Sequence, residues 1–91
     1  MQVTPTGAFL RSRKKLSVSD AEDATSALEL FLADPRAKAL NFEKVKSRKG
    51  YFTIRANFST RVLLREITPQ HYEVAAVGNH DYIYESYFKR R

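Results

Sequence analysis

Tyr51-Phe52-Thr53-Ile54-Arg55, Arg61-Val62-Leu63-Leu64-Arg65-Glu66-Ile67 and His71-Tyr72-Glu73-Val74-Ala75-Ala76-Val77 follow one another with only short polar breaks between them. Phe52, Ile54 and Ala56 alternate with Thr53, Arg55 and Asn57, and a period of two marks a strand with one apolar and one polar face. The runs 61–67 and 71–77 read as two further strands, and Thr68-Pro69-Gln70 between them reads as a hairpin turn. Together they predict a small, mainly antiparallel, twisted sheet.

Upstream, a shorter strand is predicted over residues 41–46, ahead of an Arg48-Lys49-Gly50 turn. Residues 1–5 suit an edge strand, the one strand position that tolerates Pro5. Before Pro35 the apolar period is that of a helix. Ala21, Ala24, Leu28 and Phe31 share a face, with Leu32 beside them. Ser19-Asp20-Ala21-Glu22 fits a capping box at the helix start, and Asp34-Pro35 ends the helix because the residue before proline is pushed out of the α region. Phe9, Arg13 and Leu16, with Arg11, Lys14 and Lys15 between them, predict a short basic helix that Ser17 separates from the longer one. The fold class is therefore α+β: an N-terminal α-hairpin on one face of the sheet, a short C-terminal helix or strand, and a second face left open with its Arg and Thr side chains.

Ninety-one residues suit a single domain spanning 1–91. No apolar run approaches the roughly 18 residues of a membrane span. The charges of MQVTPTGAFLRSRKK follow its apolar residues, the reverse of a secretory signal. Without cysteine there is no disulfide framework or thiolate nucleophile, and a cytoplasmic chain is expected. The two histidines, far apart in sequence, argue against a metal site. No cofactor motif is present, and the Asn57-Phe58-Ser59 sequon carries no weight without a secretion signal.

The net charge of +6 is unevenly placed. Residues 1–43 hold six basic and six acidic side chains, whereas 44–91 hold ten and four. Residues 44–65 contain seven cations, Lys44, Lys46, Arg48, Lys49, Arg55, Arg61 and Arg65, and no acid. Such clustering attracts a nucleic acid or an acidic protein, or else serves as a solvated face. Strand parity places Thr53 and Arg55 on one face, and Arg61 and Arg65 on one face of the next strand. A hairpin then gathers three guanidinium groups, which suit a phosphate anion. After the last strand, Val77-Gly78-Asn79-His80-Asp81-Tyr82-Ile83-Tyr84 packs a His, an Asp and two Tyr into one short segment. Imidazole suits proton transfer near neutral pH. Tyr84, Tyr87 and Phe88 have the spacing of a terminal helix anchored to the core, and His71 is expected to be exposed. Arg, Lys, His and Tyr without metal can cleave RNA: a base assists 2′-OH attack, cations stabilise the phosphoryl oxygens, and an acid protonates the leaving 5′-oxygen.

Leu40-Asn41-Phe42-Glu43-Lys44-Val45-Lys46, then 51–55, then Thr60-Arg61-Val62-Leu63-Leu64-Arg65, and finally Val77-Gly78-Asn79-His80-Asp81-x-x-Tyr84, together with Leu32 to Arg36, resemble the RelE/ParE superfamily of bacterial toxin–antitoxin toxins over residues 8–85. The resemblance implies the same α-hairpin on an antiparallel sheet. In the RelE-like branch it implies a metal-independent endoribonuclease that cuts mRNA on the ribosome and is neutralised by a cognate antitoxin. Position by position it makes Arg55 and Arg61 contacts to the scissile phosphate, His80 the proton-transfer group, and Tyr84 a residue that stacks on a base or assists His80. Lys44, Lys46, Arg48, Lys49 and Arg65 become RNA-binding residues. Thr53, Thr60 and Leu64 depart from residues common in nuclease members. The superfamily also contains ParE-type inhibitors of DNA gyrase without a nuclease site, and a member that only binds RNA or antitoxin is a third reading. The His80-Asp81-x-x-Tyr84 ending favours the nuclease branch.

Overall fold

The three strands expected within residues 51–77 form as antiparallel neighbours, β3 (Tyr51–Arg55), β4 (Arg61–Thr68) and β5 (His71–Gly78), in a computed structural model that describes residues 1–90. Arg91, counted above among the C-terminal cations, lies outside the described residues. Ahead of these strands come β1 (Gln2–Pro5), α1 (Gly7–Arg13), α2 (Val18–Ala33), a 3-10 turn (Lys38–Leu40) and β2 (Glu43–Lys44). After them, a π-helical segment (Tyr82–Tyr87) and a 3-10 turn (Phe88–Arg90) close the chain. The sheet order is β1-β5-β4-β3-β2, with β1 parallel to β5 and every other neighbour antiparallel. Among the described residues no helix is long and apolar enough to cross a membrane.

One face of the sheet carries Ile54, Val62, Leu64, Val74 and Val77, and on it pack Phe9 of α1 and Ala24, Ala27 and Phe31 of α2. Tyr72 stands edge-on to Phe31 at 5.3 Å. Its hydroxyl donates to Glu66 Oε2 at 3.3 Å. Burial first, and the Glu66 carboxylate second, push that phenol above its ordinary pKa.

The second face is not open. Leu63, Ala75 and Ala76 are buried there beneath Val45, Ile83, Tyr87 and Phe88, so the C-terminal segment forms a third layer. A β-bulge between Leu63 and Leu64 makes room for it: Leu63 pairs with Ala76, Leu64 with Val74, and Ala75 is the extra residue. Thr53, expected among the solvated residues, is 5% exposed because it pairs with Leu63 beneath that layer. Tyr87 and Phe88 are buried anchors, as their spacing predicts.

Local boundaries shift for physical reasons. α2 starts two residues earlier than the Ser19 box predicts, because Ser17 takes the extended cap conformation and its hydroxyl accepts from the Asp20 N–H at 3.0 Å. Ser19 lies inside the first turn. Leu32 is 42% exposed, and Ala27 takes its place in the buried stripe. In α1 it is Ser12, not Arg13, that joins Phe9 inside. The strand expected over 41–46 shrinks to Glu43–Lys44, because the 3-10 turn ends on Asn41 in the left-handed region at φ 46°. Gly50 meets the same need in the β2–β3 turn at φ 85°. His71 is half-buried, not exposed, its Nε2 2.8 Å from Thr4 Oγ1 on the neighbouring strand.

β1 stops at Pro5 while β5 runs on, leaving backbone groups of β5 without a strand beside them. Side chains replace the missing strand. Thr6 Oγ1 donates to the Val74 carbonyl at 2.9 Å while capping α1, and buried Ser12 Oγ accepts from the Val77 N–H at 3.0 Å and donates to the Phe9 carbonyl at 2.9 Å. Ser12→Ala should therefore cost about 1–3 kcal/mol, the penalty of a buried N–H left without an acceptor. Urea unfolding measures it, and a loss below about 0.5 kcal/mol would mean that the bond is dispensable.

Candidate functional site

Register decides which cations meet. Arg55 faces Arg61 directly across the β3–β4 pair, and Arg61 faces Gly78 of β5, so all three occupy one row at the end of the sheet. The chain leaves β5 at this row, and His80 follows two residues later. A Cβ on Gly78 would lie 2.6 Å from Tyr82 Cδ2 and 3.2 Å from Tyr82 Cβ, so only glycine lets the segment fold back this closely. Asn79 fixes the turn by accepting from the Tyr82 N–H through Oδ1 at 2.8 Å.

The result is a shallow cleft of about 260 Å³ lined by Phe58, Ser59, Arg61, Asn79, His80 and Asp81. His80 is exposed, with Nδ1 3.5 Å from Asp81 Oδ1 and its ring 4.4 Å from that of Tyr84. Half-buried Tyr84 in turn leans on Phe88 at 6.3 Å. The exposed imidazole thus lies near a carboxylate and an aromatic ring, in a cleft that Arg61 also lines.

Two like charges directly opposite each other destabilise a strand pair. Part of that cost is offset on Arg61, whose Nη1 donates to the carbonyls of Asn57, Phe58 and Thr60 at 2.9, 3.2 and 3.2 Å. Its Nε and Nη2 carry no hydrogen bond among the described residues. Arg55 is exposed and has no ion-pair partner among them. The row therefore carries two arginines with unused guanidinium donors, groups suited to an oxyanion.

Arg65 does not join them. Leu63 separates it from Arg61 along β4, and Arg65 Nη1 pairs with Glu73 Oε1 at 3.0 Å. The three-guanidinium cluster is thus a pair plus a distant, neutralised third member. Lys44, Lys46 and Lys49 are exposed on the β2 edge and in the β2–β3 turn, and the Arg48 guanidinium stacks on the Phe88 ring at 5.0 Å. They form a surface apart from the cleft.

Asn57, expected on the polar face of a strand and in an idle sequon, lies beyond the end of β3 and organises the whole loop. Its Oδ1 accepts from the N–H groups of Ser59 and Thr60 at 3.1 and 3.0 Å, and its Nδ2 donates to Asp20 Oδ1 and Asp23 Oδ2 at 2.9 and 2.8 Å. The β3–β4 loop is thereby tied to the start of α2. The only sequence signal is an Asn in a tight hairpin, and its helix partners lie 34 and 37 residues away.

No family model matches the sequence, and no curated protein matches it significantly. Solved structures do. The YafQ toxin of E. coli superposes with a TM-score of 0.74 at 14% identity, covering 90% of this chain and 96% of its own. RelE in the RelB–RelE antitoxin–toxin complex of Methanococcus jannaschii gives 0.72 at 14%, covering 92% and 98%. A YoeB/ParE toxin of Agrobacterium tumefaciens gives 0.70 at 19%, covering 88% and 99%. The chain has the fold of the RelE/ParE-type toxins. The α-hairpin on a mainly antiparallel sheet expected from the sequence is this fold, and the matches span nearly the full length of each toxin.

Proposed function

We propose that the chain is the toxin of a type II toxin–antitoxin pair and a metal-independent endoribonuclease that cuts messenger on the ribosome. The observation that carries this reading is the shared cleft: Arg61 and His80 line it together, and Arg55 stands opposite Arg61. In the reaction, the 2′-oxygen of the ribose attacks the adjacent phosphorus as its proton is removed. The bond to the 5′-oxygen breaks, and that oxygen leaves with a proton. His80 carries the proton transfer, Arg55 and Arg61 stabilise the charge on the non-bridging oxygens, and Tyr84 holds the imidazole or a base by stacking. Lys44, Lys46 and Lys49 hold RNA backbone, with smaller roles for the engaged Arg48 and Arg65. The partner is a cognate antitoxin, in keeping with the antitoxin-bound RelE and YafQ structures of this fold.

Messenger 5′ ends mapped in a cell-free translation reaction, with and without ribosomes, test the reading. New ends that require ribosomes are expected. Intact messenger together with blocked gyrase supercoiling would make the chain a ParE-type inhibitor, and neither effect would leave a binding-only protein.

A further inference from the structure

Phe58 is 95% exposed, the most exposed large apolar side chain among the described residues. A ring so placed contributes nothing to the core, and a single exposed apolar residue is unremarkable on a mobile loop. This loop is fixed instead. The Phe58 carbonyl accepts from Arg61, the Ser59 N–H on one side donates to Asn57 Oδ1, and Asn57 on the other side is itself tied to Asp20 and Asp23. The ring also lines the cleft that contains Arg61 and His80. A fixed loop backbone therefore places one aromatic side chain in water at the rim of the cleft that Arg61 and His80 line.

We propose that Phe58 is a stacking platform for an unpaired nucleobase next to the scissile phosphate, an inference that rests on the nuclease reading above. Every base has a π-face, so a single ring binds single-stranded RNA without hydrogen-bond readout. The loop backbone is already held before RNA arrives, so binding has only the two side-chain torsions of the ring left to fix. An apolar protein surface is the poorer match, since the groups that line the cleft beside Phe58 are Ser59, Arg61, Asn79, His80 and Asp81, all polar or charged. The platform sets which nucleotide is drawn beside Arg61, and so the position of the cut.

The test compares wild type with Phe58→Ala, Phe58→Leu and Phe58→Trp for cleavage of a defined messenger on programmed ribosomes, with melting temperatures measured alongside. Trp should keep kcat/KM within about threefold, because it retains the π-face. Ala and Leu should lose about 5- to 100-fold and spread the cuts over neighbouring positions, with melting temperatures unchanged. A Leu variant as active and as position-selective as wild type would overturn the platform while leaving the nuclease reading intact. So would an Ala variant that cuts normally but escapes neutralisation by the antitoxin, which would place a protein on the ring. Wild type that cuts nothing would overturn the nuclease reading, and the platform with it.

Discussion

Arg61→Ala should reduce ribosome-dependent cleavage by about 100- to 1,000-fold, the loss typical of removing one preorganised donor to a developing oxyanion. Sequence reading places Arg61 on an open polar face, where an alanine substitution costs only about 0.5 kcal/mol. The structure changes that expectation. Three loop carbonyls accept from Arg61 Nη1, so the variant should also lose about 1–2 kcal/mol. For a chain of this size that is a fall of about 4–16 °C in melting temperature. Arg55→Ala is the control. Its guanidinium has no hydrogen bond to lose among the described residues and repels Arg61 across the strand pair, so its removal should leave stability unchanged or slightly raised while cleavage still falls. Arg61→Lys should recover part of the charge but not the fork that holds loop and phosphate together. Cleavage by Arg61→Ala within tenfold of wild type would move the catalytic charge elsewhere. A melting temperature that did not fall would show that the three carbonyl contacts are not stabilising.

The Arg55–Arg61 pair was legible because strand parity is a local property: once β3 and β4 are read from alternation, only the hairpin register remains to be set. Arg65 shows where parity stops being sufficient. It does lie on the same face, but what surrounds it depends on Glu73 from β5 and on the C-terminal layer over Leu63, neither of which parity encodes. Thr53 was misplaced for the same reason. A polar residue in an alternating strand signals solvent only when no third layer covers that face, and here Ile83, Tyr87 and Phe88 supply one. The Ser17 and Ser19 boxes differ by two residues, and Ser17-Val18-Ser19-Asp20 fits an S-x-x-acid pattern as well as Ser19 to Glu22 does. Backbone geometry at Ser17 decides between them. Ser12 and Thr6 meet β5 across 65 and 68 residues, so nothing in their own neighbourhood reveals that they complete its edge.

Asn57→Asp should be among the most destabilising single-atom-scale changes on the surface of this protein, about 2–4 kcal/mol at neutral pH. The side chain keeps its shape, and Oδ1 can still accept from Ser59 and Thr60. What changes is the other end. An amide nitrogen that donates to both Asp20 and Asp23 becomes a carboxylate oxygen facing two carboxylates. Two charge-assisted hydrogen bonds are replaced by like-charge repulsion in a partly buried position, where water screens poorly. The sign of the pH dependence follows. The added repulsion exists only while the three side chains are ionised, so the variant's deficit is present at neutral pH and shrinks as protons neutralise them in acid. Asn57→Ala, which loses the same bonds without adding charge, should be damaged less and should recover less in acid than Asn57→Asp. Urea unfolding of both variants at pH 7 and pH 4.5 separates the two contributions. Equal losses for Asp and Ala at both pH values would show that the hub acts through hydrogen bonding alone. Since Asn57 also fixes the loop that carries Phe58 and the carbonyls holding Arg61, the Asp variant should lose cleavage even where it remains folded, which links the start of α2 to the geometry of the cleft.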